Sequence, residues 1–318
     1  MKVKSFLKLV EIQTKLASVT PFTLGTLYAY FRFGKFHFLN FILMFVSLLT
    51  FDMTTTAINN YLDYKKAQKK EGFGYEVYNA IVRDNLKESS VLTVIFSLLS
   101  IAIVFGILLF LNTNYVILVL GIISFSIGIL YTFGPVPISR TPTGEIFSGL
   151  TMGFVITFLA CYIHVYDQNI VTLAYQNGFL NLSINLPECL YIFLVSVPAV
   201  CGIANIMLAN NICDIEDDIE NKRYTLPIYI GKDNGLKLFR ALYLISFVDL
   251  VVAVLLGVLP LWSLLVLLTF IPVHKNIKIF FKEQSKKDTF VVAVKNLMII
   301  NWALIVTIVP GIIGNLLS

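Results

Sequence analysis

Two clusters of acids and amides could do chemistry in this chain. The first reads Thr56-Ala57-Ile58-Asn59-Asn60-Tyr61-Leu62-Asp63-Tyr64-Lys65-Lys66 and continues an apolar run. On a helix, positions 52, 56, 59 and 63 lie on one face, so Asp52, Thr56, Asn59 and Asp63 make a single polar stripe. The second cluster runs from Asn210 to Arg223 and places Asn211, Asp214 and Asp218 on one face. Grouped carboxylate and amide oxygens suit a hard cation such as Mg2+, which takes few protein ligands and fills its shell with substrate phosphate oxygens. No Gly-rich loop of the P-loop type accompanies them, so nucleotide hydrolysis is not indicated. A third polar island, Tyr131 to Glu145, holds three prolines and two glycines and reads as a structured turn. Arg140 and Glu145 are its only charges.

The elements that position these residues are set by composition. The 318 residues are 57% hydrophobic and 14% charged, with mean hydropathy +0.82. Soluble domains hold about 45–50% apolar and about 25% charged residues, so a soluble enzyme and a disordered chain are both excluded. An all-α, polytopic membrane protein is expected, built as a single domain over 1–318. A span needs about 20 mostly apolar residues. Nine such segments are present, at about 16–33, 38–59, 90–111, 115–133, 146–166, 189–210, 236–256, 259–276 and 295–316. Residues 89–139 carry no charge, and Asn112-Thr113-Asn114 is their clear polar break, which predicts a hairpin with a very short turn. Gly257–Pro260 predicts another. The first span lacks a signal-peptide cleavage pattern and is expected to stay in the mature protein.

Nine spans put 22 of the 24 Lys and Arg residues on the N-terminal side of the membrane, leaving only Arg32 and Lys35 on the other. Segment 165–188 has neither residue type. By the positive-inside rule, the N-terminus and both Asp-rich loops are expected to be cytoplasmic. The net charge of +5 therefore faces anionic lipid and an anionic substrate, and no nucleic-acid partner is expected. Acids and amides at a membrane edge are costly and point to function. Cys161, Cys189, Cys201 and Cys213 form no CxxC pair and read as small buried hydrophobes. The three histidines lack metal-ligand spacing.

The segment Asn210-Asn211-x-x-Asp214-x-x-x-Asp218, followed by Asn221-Lys222-Arg223-Tyr224-Thr225-Leu226-Pro227 and Gly231, resembles the second motif of the UbiA superfamily of intramembrane prenyltransferases. The likeness is to its menaquinone-pathway branch. Tyr131-Thr132-x-Gly134-Pro135-x-Pro137-Ile138 with Gly144-Glu145 resembles the same branch. The first motif departs from the family's Asn-Asp-x-x-Asp with a later Asp: this chain has Asn59, Asn60 and Asp63, then Ala67 and Lys69. Asn60 offers a carbonyl oxygen there without charge.

The resemblance implies nine helices around a central cavity open to the cytoplasm. It also implies Mg2+-dependent transfer of a polyprenyl group from polyprenyl diphosphate to 1,4-dihydroxy-2-naphthoate with loss of the carboxyl group. Carried onto this chain, Asp63, Asp214 and Asp218 are catalytic and, with Asn60, hold the metal. Asn59, Asn60, Asn211, Arg140, Lys222, Arg223 and Tyr131 bind substrate. Three alternatives remain at this point. One is another aromatic acceptor such as 4-hydroxybenzoate, and a second is a UbiA-like protein without catalysis, which the altered first motif allows. The third is an ion-coupled transporter using Asp52 and Asp249 within their apolar runs, against which no paired broken helices are seen.

Overall fold

Burial of apolar stripes against one another, rather than against water, organises this chain. The computed structural model describes residues 1–66, 79–134 and 136–317. Ala67 and Lys69, where the first motif departs from the family pattern, lie outside them. The chain begins with α1 (Val3–Leu9) and α2 (Leu16–Phe33). Next come α3 (Phe38–Lys66), a short α4 (Ala80–Arg83), α5 (Glu88–Leu111) and α6 (Tyr115–Thr132). Helix α7 (Gly144–Val165) follows, then strands β1 (Val171–Gln176) and β2 (Phe179–Ile184). The second half holds α8 (Leu186–Cys213), α9 (Ile215–Glu220), α10 (Leu226–Ile230) and α11 (Lys232–Leu255). It ends with α12 (Leu261–Lys282) and α13 (Val291–Leu317).

Among the described residues, eight helices are long and apolar enough to cross a membrane. They match eight of the nine expected segments. The first expected span is also a helix, the 18-residue α2, but it is not among the eight. Its sequence explains this: Ser18, Thr20, Thr26 and Tyr28 are buried against neighbouring helices instead of facing lipid. Helix α2 packs on α7, α13, α8 and α3, and α8 is the most buried of the long helices. These two form the middle of the bundle, with α5 and α6 at its edge.

Close crossings depend on glycine. A Cβ at Gly25 of α2 would lie 2.2 Å from the Thr157 carbonyl oxygen of α7. One at Gly153 would lie 2.5 Å from Val200 Cα of α8. Gly153 belongs to a π-helical stretch, Gly149–Val155, which breaks α7 where it meets α8. Small residues that let backbones approach are the usual device for packing helices in lipid. Buried amides close backbone gaps: Asn40 Nδ2 donates to Ile163 O at 2.9 Å, and Asn205 Nδ2 to Phe239 O at 3.0 Å.

Both expected hairpins are present. Asn114 caps α6 by accepting from Val116 N–H at 3.1 Å, and Gly257 takes the left-handed backbone (φ 69°) between α11 and α12. Helix α12 differs from its expected end, running on to Lys282. Val273, Ile277 and Phe280 are buried at helical spacing while Lys275 and Ile279 face outward, so the basic end is an amphipathic helix and not a loop.

The expectation of an all-helical chain needs one correction. Residues 171–184 form an antiparallel hairpin, Val171 pairing with Ile184 and Tyr175 with Leu180. Its strands alternate in polarity about an Asn177-Gly178 turn with both residues at positive φ, the chemistry of a tight β-hairpin.

Candidate active site

The second acidic cluster is built where α8 stops. Asp214 ends α8 and begins α9, and its carbonyl accepts from the Asp218 N–H at 2.7 Å. Both acids are buried, Asp218 to 3% exposure. Beyond α9 the backbone reverses at Lys222 (φ 53°), and Arg223 N–H donates to Asp218 O at 2.8 Å. That turn brings the Arg223 guanidinium back over the acid, with Nε 3.3 Å from Asp218 Oδ1. The Nε hydrogen does not point at the carboxylate, so this is an ion contact rather than a hydrogen bond. Thr225 Oγ1 donates to Asp218 Oδ2 at 3.2 Å. Lys286, from the segment between α12 and α13, places Nζ 2.5 Å from Asp214 Oδ2.

Burial pushes the Asp218 carboxyl above its ordinary range; Arg223 pulls it down and the Asp214 charge adds to the rise. Taking a carboxylate from water disfavours its charged form. This carboxyl is therefore prepared to gain from a cation.

The polar island meets this cluster through two ties. Glu145, 3% exposed, accepts from Asn211 Nδ2 at 2.8 Å. The Arg140 carbonyl accepts from Tyr224 N–H at 3.2 Å. Tyr131 lies beside Ser148, near Glu145 and Arg223. Island and second cluster thus touch, and together they bring Tyr131, Arg140, Asn211, Asp214, Asp218 and Arg223 into one neighbourhood, a candidate site. Lys222 is exposed at its rim.

The first cluster is arranged differently. Asp52 lies deep on α3, and Lys15, itself 3% exposed, donates to Asp52 Oδ1 and Thr56 Oγ1 at 2.6 Å each. Ser18 Oγ donates to Asp52 Oδ2 at 2.6 Å. Asn60 turns inward, a third of a helical turn away from Asn59. Its Nδ2 donates to Leu9 O at 2.9 Å and to Glu11 Oε1 at 3.3 Å, which pins the N-terminal segment to α3. Asn59 and Asp63 are exposed, one turn apart.

Among the described residues, no three His, Cys, Asp or Glu side chains come together as a metal-holding group. Two orphaned oxygens nevertheless mark where a cation fits: Glu145 Oε2 and Asn211 Oδ1 are buried with no hydrogen-bond partner. Buried acceptors left unpaired are costly. The donor set around them, carboxylate and amide oxygens, is the one Mg2+ prefers.

Asp249 stands apart on α11, among Ile245, Val248 and Val252, which face outward. Its Oδ2 has no hydrogen-bond partner among the described residues. Sequence reasoning assigned no role to Glu145, Lys286 or Lys15. Glu145 had a signal, as a lone acid next to a long uncharged stretch. Lys286 had none, since its link to Asp214 spans 72 residues.

Comparison with known proteins identifies the family and the fold. A family model described as "UbiA prenyltransferase family" matches residues 18–305. The chain is 29% identical over 290 residues to a 1,4-dihydroxy-2-naphthoate octaprenyltransferase of Bacillus subtilis (strain 168), covering 91% of this chain and 86% of that protein. A UbiA homolog from Archaeoglobus fulgidus bound to GPP and Mg2+ superposes with TM-score 0.64 at 14% identity, over 97% of this chain and 99% of that one. The apo UbiA homolog from Aeropyrum pernix K1 gives 0.63 at 19% identity, over 91% and 97%. Both likenesses show a shared fold. With the family model spanning almost all of its helices, this chain belongs to the UbiA prenyltransferase family and is a membrane-embedded prenyltransferase.

Proposed function

We propose that the chain transfers a polyprenyl group from polyprenyl diphosphate to 1,4-dihydroxy-2-naphthoate, with loss of the acceptor's carboxyl group, giving a demethylmenaquinone. The observation that carries this reading is the Asn211–Glu145 bond. It joins the second acidic motif to the Tyr131–Glu145 island, and these are the two segments that resemble the menaquinone-pathway branch. The Bacillus subtilis relative, named for the same acceptor, supports it.

In this reading Asp63, Asp214 and Asp218 hold Mg2+, with Asn211 and Glu145 lending the oxygens now unpaired. Mg2+ held by these residues would supply the positive charge that offsets the diphosphate leaving group as its C–O bond ionises. Arg223, Arg140, Lys222 and Lys286 offer positive charge to the phosphate oxygens. Asn60 holds the N-terminal segment beside Asn59 and Asp63 through its Nδ2, and its side-chain oxygen is the atom it offers to the metal. Tyr131 and Asn59 line the path of the substrates. Apolar helix faces take the isoprenoid tail and keep water from the allylic cation. In this reading the substrate cavity opens at the acid-bearing end of the bundle, and the positive-inside rule predicts that end to be cytoplasmic.

Purified protein with Mg2+, polyprenyl diphosphates of several lengths and a panel of aromatic acceptors tests this. Release of CO₂ from the naphthoate acceptor and little turnover of 4-hydroxybenzoate are expected. Comparable turnover of 4-hydroxybenzoate with its carboxyl retained would overturn the acceptor assignment. Orientation is tested separately, by labelling Glu216→Cys and Asn181→Cys variants in intact cells with an impermeant maleimide. Only the second should react.

A further inference from the structure

The β-hairpin lies at the end of the bundle away from the acids. Helix α7 leaves the site at Gly144 and reaches the hairpin after Val165, and α8 returns from Leu186 to Asn211. The cross-strand pairs sort its side chains by face. Val171–Ile184, Leu173–Leu182 and Tyr175–Leu180 share one face and are all apolar or aromatic, while Thr172–Ser183, Ala174–Asn181 and Gln176–Phe179 share the other, on which Phe179 beside the turn is the one large apolar side chain. No charged side chain or histidine occurs from Gln168 to Pro187.

The base of the hairpin is fixed. Ile170 is buried, its carbonyl accepts from Asn185 N–H at 2.8 Å, and the Val171 carbonyl accepts from the Tyr162 hydroxyl at 2.6 Å. Val171 and Leu173 pack on the bundle core. The same face then runs past the protein: Tyr175 is 74% exposed, Leu180 68% and Leu182 61%. Strand β1 leaves the bundle over α6, the least buried of the long helices and hence the one most open to lipid.

We infer that this hairpin lies on the membrane surface, with the Tyr175–Leu180–Leu182 face sunk into the boundary between headgroups and acyl chains. An isolated two-stranded hairpin is marginally stable in water, and a continuous apolar face on one marks a contact surface. Its occupant must continue what the base of that face touches, a bundle surrounded by lipid. The lack of charge excludes attraction to anionic headgroups as the basis of contact. Tyr175 sits near the tip, where an aromatic ring with a polar end suits the interface.

Substitutions Tyr175→Cys, Leu180→Cys, Asn181→Cys, Leu182→Cys and Ser183→Cys, each in protein with its four native cysteines replaced, would carry a nitroxide in phosphatidylcholine vesicles. Collision with lipid-soluble oxygen relative to a water-soluble nickel chelate should be several-fold higher at 175, 180 and 182 than at 181 and 183. Adding phosphatidylglycerol should leave that alternation unchanged. Free access of nickel at every position would show a hairpin standing in water and overturn the inference. Exclusion of both reagents at 180 and 182 would show a protein cover, such as a second copy, and overturn it equally. A Tyr175→Trp variant that keeps the native cysteines guards against misfolding. Its added emission should be quenched by brominated lipid, and quenching by aqueous iodide alone would count against lipid contact.

Discussion

The two acidic motifs occupy corresponding places, each at the end of a long helix, yet the protein treats them in opposite ways. After α8, Asp214 and Asp218 are buried and neutralised by Lys286 and Arg223. After α3, Asp63 and Asn59 are exposed, and half-buried Asp52 and buried Asn60 serve the N-terminal segment through Lys15, Ser18 and Leu9. One half is a preformed, charge-balanced cradle. The other presents its acid on a helix whose depth and rotation are held from behind. A metal site shared between them would thus have a rigid side and a side tuned by α1 and α2.

The strongest way to break this contrast is to remove carboxylates. Asp214→Asn or Asp218→Asn should lower turnover by more than about 100-fold, since changes to groups that only support metal ligands cost about 10–100-fold. Asp63→Asn should be equally damaging, being the carboxylate left at the usual positions of the first motif. Steady-state assays across Mg2+ concentrations would read this. Near-normal turnover by Asp63→Asn would leave the cradle after α8 as a complete site and end the two-sided model.

Next in size is Lys15→Met. It strands Asp52 in a half-buried setting, and breaking a buried ion pair costs about 3–5 kcal/mol. Thermal unfolding in detergent should shift down markedly. The double variant Lys15→Met with Asp52→Leu should recover much of the loss, because an apolar pair of similar volume avoids the desolvation penalty. Failure to recover would mean that the pair holds α2 and α3 by specific geometry.

Much of this molecule was legible before its structure. Apolar runs and their Asn and Gly-Pro breaks placed the long helices and both hairpins, because each span must satisfy its own backbone in lipid. The spacing of Asn211, Asp214 and Asp218 marked the cradle. What stayed hidden was long-range. Lys15 and Lys286 read as ordinary members of basic loops, and nothing local tells that one is buried against Asp52 and the other reaches Asp214. Helix α2, legible as a span, is more polar than the other eight because its Ser, Thr and Tyr side chains are packed inside. The β-hairpin was legible in its alternation and Asn-Gly turn, but 24 residues without Lys or Arg between two spans read first as an external loop.

A smaller effect is expected from Lys286→Met. The lysine side chain is 59% exposed, and ion pairs of that kind contribute about 0–1 kcal/mol. Without substrate, Mg2+ binding should tighten by a few-fold because Nζ no longer competes for Asp214. KM for the diphosphate donor should rise, since the phosphate loses a cation. Calorimetric titration with Mg2+ alone separates the two effects. Unchanged metal affinity with unchanged KM would reduce Lys286 to a bystander.

The smallest expected effect distinguishes the two halves by pH. Near the first motif, Ser5 beside Asp84 and the Arg83 guanidinium, whose Nε donates to Asp84 Oδ1 at 2.7 Å, together hold its carboxyl below the ordinary carboxylate range. A depressed value in the folded state means that its contribution is present above the unfolded value and lost as pH falls through the folded one. Asp218 runs the other way. Burial raises its carboxyl, so its contribution is full below the unfolded value and is lost as pH rises through the folded one. Acidification should therefore loosen the tie between α1 and α4 while easing strain in the metal-free cradle. Hydrogen exchange, corrected for the intrinsic effect of pH, should show protection falling at residues 3–11 and 80–86 on acidification, with residues 211–225 holding or gaining protection. Equal loosening of both segments would mean that the cradle draws its stability from the ionised acids, and the contrast between a neutralised site and an exposed one would fail at its electrostatic root.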